Sequence, residues 1–429
     1  MRLNIKISKH FTINQITTGF FIAFLASAFL YLDWFGFVNS FVNTILALSS
    51  LYLLLLSDKK IWLWTGVWTG ILWFWWMGVS FINYEMSWAI PLVFLVVGLS
   101  YGFIYLFGIK IIYLLEDKLK INSLIGKVLF LLTLSYIHPF GFDWYKPELM
   151  LTNSYLGIEK WQFFLILLSL SLTIYYKKLL YLLLIFLAFP FQNYLKKVEP
   201  INQNIFLQGT HTNVKDKWNP ALQQKHIDAV FVAIQKAIKE KRKVIVLPES
   251  IFALFLNTQP HLMNALVNYS KDITIVLGAL AWEDEIPRNS TYIFQEQTFR
   301  IANKVKLVPF GEENPLPEWM GKWVNDAFFD GAPDYVASKE FTDYSIDGTL
   351  YRNAICFEAT SEKLYEGEPK NMIVLSNNGW VTPSIEPTQQ KILLQYYSKK
   401  YGTTIYHAIN MSPSYIVHHG EVIQDTISD

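Results

Sequence analysis

Residues 244–250 read Val-Ile-Val-Leu-Pro-Glu-Ser. Four apolar residues followed by proline predict a buried β-strand at Val244–Leu247. Glu249 comes directly after this strand, and α/β sheets present reactive groups at the carboxyl ends of their strands. A carboxylate held there, with its pKa raised by partial burial, suits a general base. The alternative is an acid that caps the N-terminus of a helix.

Outward from this strand, other short apolar or β-branched segments are separated by polar turns. They predict further strands at Ile205–Leu207, Thr274–Leu277, Thr291–Gln295, Ala354–Cys356, Met372–Leu375 and Thr404–Ile409. Helical periodicity over about 220–240, and a second segment over about 387–400, predict helices between the strands. This alternation is typical of an α/β domain, and we expect it to occupy residues 198–429.

The chain before residue 198 is strongly apolar and predicts a transmembrane bundle of about seven helices over 1–197. Each run approaches the roughly 20 residues that cross a bilayer, although the fifth is short. The runs lie near 13–33, 37–56, 61–82, 87–109, 126–139, 161–176 and 178–195. If Met1 is cytoplasmic, most basic residues of the loops lie inside, with Lys146 and Lys160 outside. The α/β domain is then extracytoplasmic.

Charge and cysteine content exclude several kinds of protein. The chain has 36 basic and 35 acidic residues, so no basic surface for nucleic acid is expected. The single cysteine, Cys356, excludes an intrachain disulfide and a cysteine-based zinc site. We expect neither a metal nor a cofactor.

Two further strings carry candidate chemistry. Residues 303–312 read Asn-Lys-Val-Lys-Leu-Val-Pro-Phe-Gly-Glu, and residues 352–358 read Arg-Asn-Ala-Ile-Cys-Phe-Glu. Lys304 could stabilise a developing oxyanion, although alone it would be read as a surface lysine. Cys356 alone would be read as a buried, inert thiol. Together with Glu249 they supply the nucleophile, base and cation that acyl chemistry needs.

Three motifs resemble the Glu-Lys-Cys triad of the nitrilase superfamily. They are Leu-Pro-Glu ending at Glu249, Lys-x-x-Leu-Val-Pro-Phe-Gly-Glu starting at Lys304, and Ile-Cys-Phe-Glu around Cys356. Combined with the multi-span bundle, they resemble the apolipoprotein N-acyltransferase family, which completes bacterial lipoprotein maturation. The resemblance implies a membrane bundle joined to a nitrilase-like αββα sandwich.

The resemblance also implies a reaction. Cys356 would accept an acyl group from a phospholipid as a thioester and pass it to the N-terminal diacylglyceryl-cysteine of an apolipoprotein. Glu312 and Glu358 would support the triad. The enzyme would span the bacterial inner membrane several times, with its catalytic domain on the periplasmic side. The alternatives are a membrane-bound nitrilase-like amidase or hydrolase, a non-catalytic scaffold and a transporter.

Four aromatic residues are candidates for contact with substrate or lipid. Phe252 lies in the apolar segment 251–256, Trp319 lies in the segment Leu316–Met320, and Trp380 follows the nucleophile in sequence. Phe357 stands where the family typically has tyrosine, so a role of that hydroxyl is absent here. The alternative for all four is ordinary packing. Longer family members continue into one more transmembrane helix, whereas no apolar run follows Ile423, which leaves open how the C-terminal edge is held.

Overall fold

The computed structural model describes residues 13–191, 200–313 and 335–424. Its contacts divide the chain into two compact units. The first, the helical unit, comprises Met1–Pro139, Asp143–Lys197 and Pro383–Ile392. The second, the sheet unit, comprises Phe140–Phe142, Val198–Thr382 and Leu393–Asp429.

The helical unit contains long apolar helices. They are α1 (Ile13–Trp34), α2 (Ser40–Leu56), α3 (Lys59–Phe74), α4 (Ile90–Leu119), α5 (Ser123–Thr133) and α6 (Lys160–Tyr176). A 3₁₀ helix follows at Leu179–Ala188, and a shorter one lies at Pro147–Leu151. Asn39 and Asp58 cap α2 and α3 by accepting hydrogen bonds from backbone N–H groups of the first turn.

Three helical segments are long and apolar enough to cross a membrane: Ile13–Trp34, Lys59–Asn83 and Ser87–Leu119. Four shorter apolar helices are Ser40–Leu56, Ser123–Tyr136, Lys160–Tyr176 and Leu179–Ala188. These seven segments fall on the seven apolar runs of the sequence. The number of spans and their orientation stay predictions.

Helices α3 and α4 approach each other closely through glycines. A Cβ atom on Gly66 would lie 2.6 Å from the carbonyl oxygen of Tyr101, and one on Gly70 would lie 2.3 Å from that of Val97. Both distances are shorter than any real contact, so only glycine permits this spacing. Small residues at such crossings are typical of membrane helices, where close packing holds the bundle together.

The sheet unit contains two six-stranded sheets. The strands are β1 (Ile205–Leu207), β2 (Val244–Val246), β3 (Phe252–Phe255), β4 (Thr274–Glu283), β5 (Ile286–Gln295), β6 (Thr298–Asn303), β7 (Asp343–Ile346), β8 (Thr349–Ile355), β9 (Asn371–Asn377), β10 (Thr404–Asn410), β11 (Tyr415–His418) and β12 (Glu421–Gln424). The first sheet has the order β1-β2-β4-β5-β6, with β3 paired to β4. The second has the order β12-β11-β10-β9-β8-β7. Strands β1, β2 and β4 are mutually parallel, as are β8, β9 and β10.

The inner faces of the two sheets share one core. Val246 and Val276 of the first sheet pack in the same cluster as Leu375 and Ala408 of the second. Helices α7 (Gln223–Lys239) and α8 (Pro260–Tyr269) cover the outer face of the first sheet.

The sheet unit's part of α9 (Glu386–Tyr401) hydrogen-bonds to Gly420, between β11 and β12 of the second sheet. The helix–sheet–sheet–helix layering and both predicted helices are confirmed. The predicted strands are present too, several of them longer than expected, but Cys356 lies outside β8.

Candidate active site

Glu249 lies three residues after β2, as the sequence predicts. It is 7% exposed. Its Oε1 accepts a hydrogen bond of 2.8 Å from the amide of Asn289, and its Oε2 accepts one of 2.9 Å from the backbone N–H of Asn377. Gly278 of β4 permits this arrangement, because a Cβ there would lie 2.6 Å from the Cα of Glu249. The carboxylate is therefore held from two sides.

Lys304 follows β6 directly and is 1% exposed. Its Nζ lies 2.7 Å from Oε2 of Glu312 and 3.7 Å from Oε1 of Glu249. Burial alone would lower the pKa of this lysine, but the negative charges of Glu312 and Glu249, with a smaller contribution from Cys356, outweigh burial and raise it. Lys304 therefore remains an ammonium cation at any physiological pH.

Asn289 closes a ring around these charged groups. Its amide nitrogen donates to Glu249 at 2.8 Å and to Glu312 at 2.7 Å, so it joins the two carboxylates that flank Lys304. Its backbone carbonyl also accepts the N–H of Lys304 at 2.9 Å. Hydrogen bonds to ionised carboxylates are among the stronger ones in proteins. The ring holds the acid, the cation and the second acid in one fixed arrangement.

Cys356 begins a 3₁₀ turn, Cys356–Thr360, directly after β8. The thiol is half-buried, and the charge of Cys356 contributes to the electrostatics of Lys304. Its φ of +53° lies in the left-handed region, which non-glycine residues rarely occupy. Such backbone strain is often found where a side chain is presented for chemistry.

Glu358 supports the backbone on both sides of this turn. It is 1% exposed, and it accepts N–H bonds of 2.7 Å from Ile355, 2.7 Å from Val305 and 3.2 Å from Lys306. It thus ties the end of β8 to the segment that follows Lys304. Burial raises the pKa of Glu358 to about 7, while Lys304 and the three N–H donors oppose that rise.

Comparison with known proteins gives matches over nearly the whole chain. Residues 13–193 match the model of the apolipoprotein N-acyltransferase integral membrane domain. Apolipoprotein N-acyltransferase of Wolinella succinogenes is 39% identical over 400 residues, covering 92% of this chain and 94% of that protein. That of Campylobacter jejuni is 34% identical, covering 96% of this chain and 91% of that protein. The chain belongs to the apolipoprotein N-acyltransferase family.

Membership in the apolipoprotein N-acyltransferase family makes the chain an acyltransferase with an integral membrane domain. Among solved structures, a nitrilase-superfamily amidase from Nesterenkonia matches with a TM-score of 0.38 and 14% identity. That match covers 51% of this chain and 83% of the amidase.

The four aromatic candidates differ in how far the structure buries them. Phe252 is 2% exposed and belongs to strand β3 and the core beneath it, so the expectation that it meets lipid is wrong. Phe357 is 3% exposed, and its ring centroid lies 4.9 Å from that of Phe142, while its contact with substrate stays a prediction. Trp380 is half-buried and its lipid contact stays a prediction. Trp319 lies outside the described residues.

Sequence reasoning assigned no role to the two asparagines whose N–H groups hold Glu249. Asn289 and Asn377 stand 40 and 128 residues from Glu249 in the chain. Asn410 binds the side chain of Asn377 at 2.7 Å and the hydroxyl of Thr210 at 2.8 Å, which links the strand ends of the two sheets. Neither Asn289 nor Asn377 lies in the three sequence strings that contain Glu249, Lys304 and Cys356.

Proposed function

We propose that this protein transfers an acyl group from a phospholipid to the N-terminal diacylglyceryl-cysteine of apolipoproteins, through a thioester on Cys356. The observation that carries the proposal is the ring of Glu249, Lys304, Asn289 and the half-buried Glu312, whose lysine interacts electrostatically with Cys356. The names of the relatives support lipoprotein N-acylation as the overall reaction.

In the first step, Glu249 takes the proton of the Cys356 thiol, and the thiolate attacks the ester carbonyl of the phospholipid. The tetrahedral intermediate places its negative oxygen near the ammonium of Lys304. When the carbon–oxygen bond breaks, Glu249 returns its proton to the departing oxygen, and a lysophospholipid leaves. The acyl group is then bound to Cys356 as a thioester.

In the second step, the free α-amino group of the diacylglyceryl-cysteine attacks the thioester carbonyl. Glu249 accepts a proton from the nitrogen, the carbon–sulfur bond breaks, and the thiolate takes that proton back. The product is an amide and the thiol is restored. Both substrates carry acyl chains, each CH₂ of which costs about 0.8 kcal/mol to remove from a bilayer. A reaction at the membrane surface avoids that cost.

An acyl-enzyme trap tests this mechanism. Purified wild type and Cys356→Ala are incubated with a phospholipid that bears an alkyne-tagged acyl chain, and hydroxylamine-sensitive label is measured. Because Cys356 is the single cysteine, any thioester reports on it. We expect label on wild type only, and its transfer to a diacylglyceryl-cysteine peptide but not to the same peptide with its α-amino group acetylated.

The other outcomes have definite meanings. Label that is lost to water at the same rate with and without peptide would favour the membrane-bound hydrolase. Absence of label on folded wild type would exclude the thioester mechanism.

We also propose that the chain spans the bacterial inner membrane and that its sheet unit faces the periplasm. The support is the excess of lysine and arginine in the loops assigned to the cytoplasm. In a Cys356→Ala background, exposed Lys239→Cys should react with a membrane-impermeant maleimide in cells with a permeabilised outer membrane. The matched variant, exposed Lys118→Cys, should react only after lysis. The reverse pattern would invert the topology.

A further inference from the structure

Lys217 is a buried lysine beside the candidate base and lies outside the triad. It ends the one-turn helix Val214–Lys217, which Asn213 caps by accepting the N–H of Asp216 at 2.9 Å. Lys217 is 5% exposed, and its Nζ donates a hydrogen bond of 3.3 Å to the backbone carbonyl of Glu249. A buried ammonium is costly, so its presence at this carbonyl calls for a reason.

A cavity in the sheet unit gives the ammonium room for water. The cavity has a volume of about 180 Å³ and is lined by Lys217, Gln208, Thr210, Thr212 and His226, with apolar residues of α7 opposite. A water molecule occupies roughly 30 Å³ of liquid, so several would fit. Water and polar walls can satisfy the ammonium hydrogens that Glu249 does not use. Lys217 can therefore stay charged although its side chain is buried.

The positive charge of Lys217 changes the balance of charge around Glu249. Glu249 and Glu312 carry two negative charges, whereas Lys304 alone carries one positive charge among the groups of the ring. When Glu249 takes the thiol proton, its negative charge passes to the sulfur of Cys356, so the site still holds two negative charges. The electrostatic attraction between Lys217 and Glu249 supplies a second cation. Without it, ionisation of the base and of the thiol would take place in a site with excess negative charge.

We propose that Lys217 is a positioning residue for Glu249: its ammonium holds the backbone carbonyl of the base and places a positive charge near its carboxylate. Lys217 acts through Glu249 and does not touch the reacting atoms. This inference rests on the proposed function, because it takes Glu249 as the base that receives the thiol proton.

The protonation of Lys217 gives the inference a pH signature. Burial lowers the pKa of Lys217 to about 8, and the charge of Glu249 opposes that fall. Among the described residues, titratable groups near it also include His226 and Lys225 on α7 and Lys215 and Asp216 on its own helix. Burial, and then the charge of Lys217, lower the pKa of His226. The positive charge is thus present at neutral pH and lost above about pH 8.

The test compares Lys217→Met, Lys217→Arg and the control Lys215→Met, which removes an exposed lysine of the same helix. Full-length protein is purified, and two rates are measured from pH 5 to 10. One is thioester formation with the tagged phospholipid, and the other is alkylation of the single cysteine by iodoacetamide. The second rate reads the thiolate directly and needs no lipid substrate.

We expect Lys217→Met to slow both reactions about tenfold at pH 7 and to move their acid limb up by about one pH unit. The control should match wild type. The rate of thioester formation by Lys217→Arg should stay within about twofold of wild type at pH 7. Above pH 8 this rate should persist, because arginine holds its charge there.

Three results would overturn the inference. The first is an acid limb of both pH–rate profiles that is unchanged in folded Lys217→Met. The second is identical rates for the Met and Arg variants. The third is a rate of thioester formation by Lys217→Arg that falls together with that of wild type above pH 8. If Lys217→Met does not fold, the Arg profile decides alone. If wild type forms no thioester, the proposed function fails, whereas the alkylation rates still test Lys217.

Discussion

Two buried carboxylate regions of the sheet unit differ in what surrounds them. Glu249 and Glu312 each accept one backbone N–H, from Asn377 and Val308, but both also meet the ammonium of Lys304 and the amide of Asn289. Glu358 instead accepts three backbone N–H groups. Backbone donors fix a loop conformation, whereas a nearby ammonium can respond to charge that develops during a reaction. The partners of a buried carboxylate, more than its burial, separate a reacting group from a supporting one.

The largest expected effect comes from removing the base. Glu249→Gln keeps the shape of the side chain but cannot accept a proton, so thioester formation should fall by about 10³-fold or more. The same change at Glu358 leaves the base and the cation in place, and we expect a loss of no more than about tenfold. Initial rates of acyl transfer from tagged phospholipid measure both. Equal losses of rate in the two variants would mean that Glu249 and Glu358 do not differ as reacting and supporting groups.

A smaller effect is expected at the amide that joins the two carboxylates. Asn289→Ala removes both hydrogen bonds, which also hold Glu249 before the reaction starts, so only part of their energy affects the rate. We expect thioester formation to slow about tenfold, which corresponds to about 1.4 kcal/mol. Asn289→Asp places a third carboxylate between Glu249 and Glu312 and should lose more. Single-turnover rates at saturating phospholipid measure the effect.

Asn257→Ala is the matched control, because its amide bonds to backbone atoms of Trp282. A rate for Asn289→Asp at or above that of Asn289→Ala would show that charge repulsion at this position is unimportant.

Sequence patterns were sufficient where periodicity or length reflects burial. Helix α7 was predicted because Ile227, Val230 and Ile234 recur at helical spacing, and all three are buried. The apolar segment 251–256 is absent from the predicted strands and carries a candidate for lipid contact, whereas Phe252–Phe255 forms β3 and pairs with β4. A short apolar run has no period that separates a loop from a strand.

The site shows the same limit more sharply. Glu249, Lys304 and Cys356 could be proposed because each sits in a recognisable local string. The contacts of Asn289, Asn377 and Lys217 with Glu249 could not, because they join residues 40, 128 and 32 positions apart. Sheet pairing brings them together, and pairing across such distances leaves no pattern in a single sequence.

The smallest expected effect is a change in how the melting temperature depends on pH. Because burial raises the pKa of Glu358 to about 7 from its ordinary 4.5, the folded protein keeps a proton that the unfolded chain has released between these values. Stability from this group is therefore full below about pH 4.5 and is lost as pH rises through about 7, at about 1.4 kcal/mol for each pH unit between them.

Glu358→Gln cannot ionise, so its melting temperature should fall less steeply than that of wild type from pH 5 to 7.5. The exposed control Glu366→Gln should follow wild type. Parallel curves for wild type and Glu358→Gln would mean that Glu358 is already ionised at pH 5, and that Lys304 and the three backbone N–H groups outweigh burial.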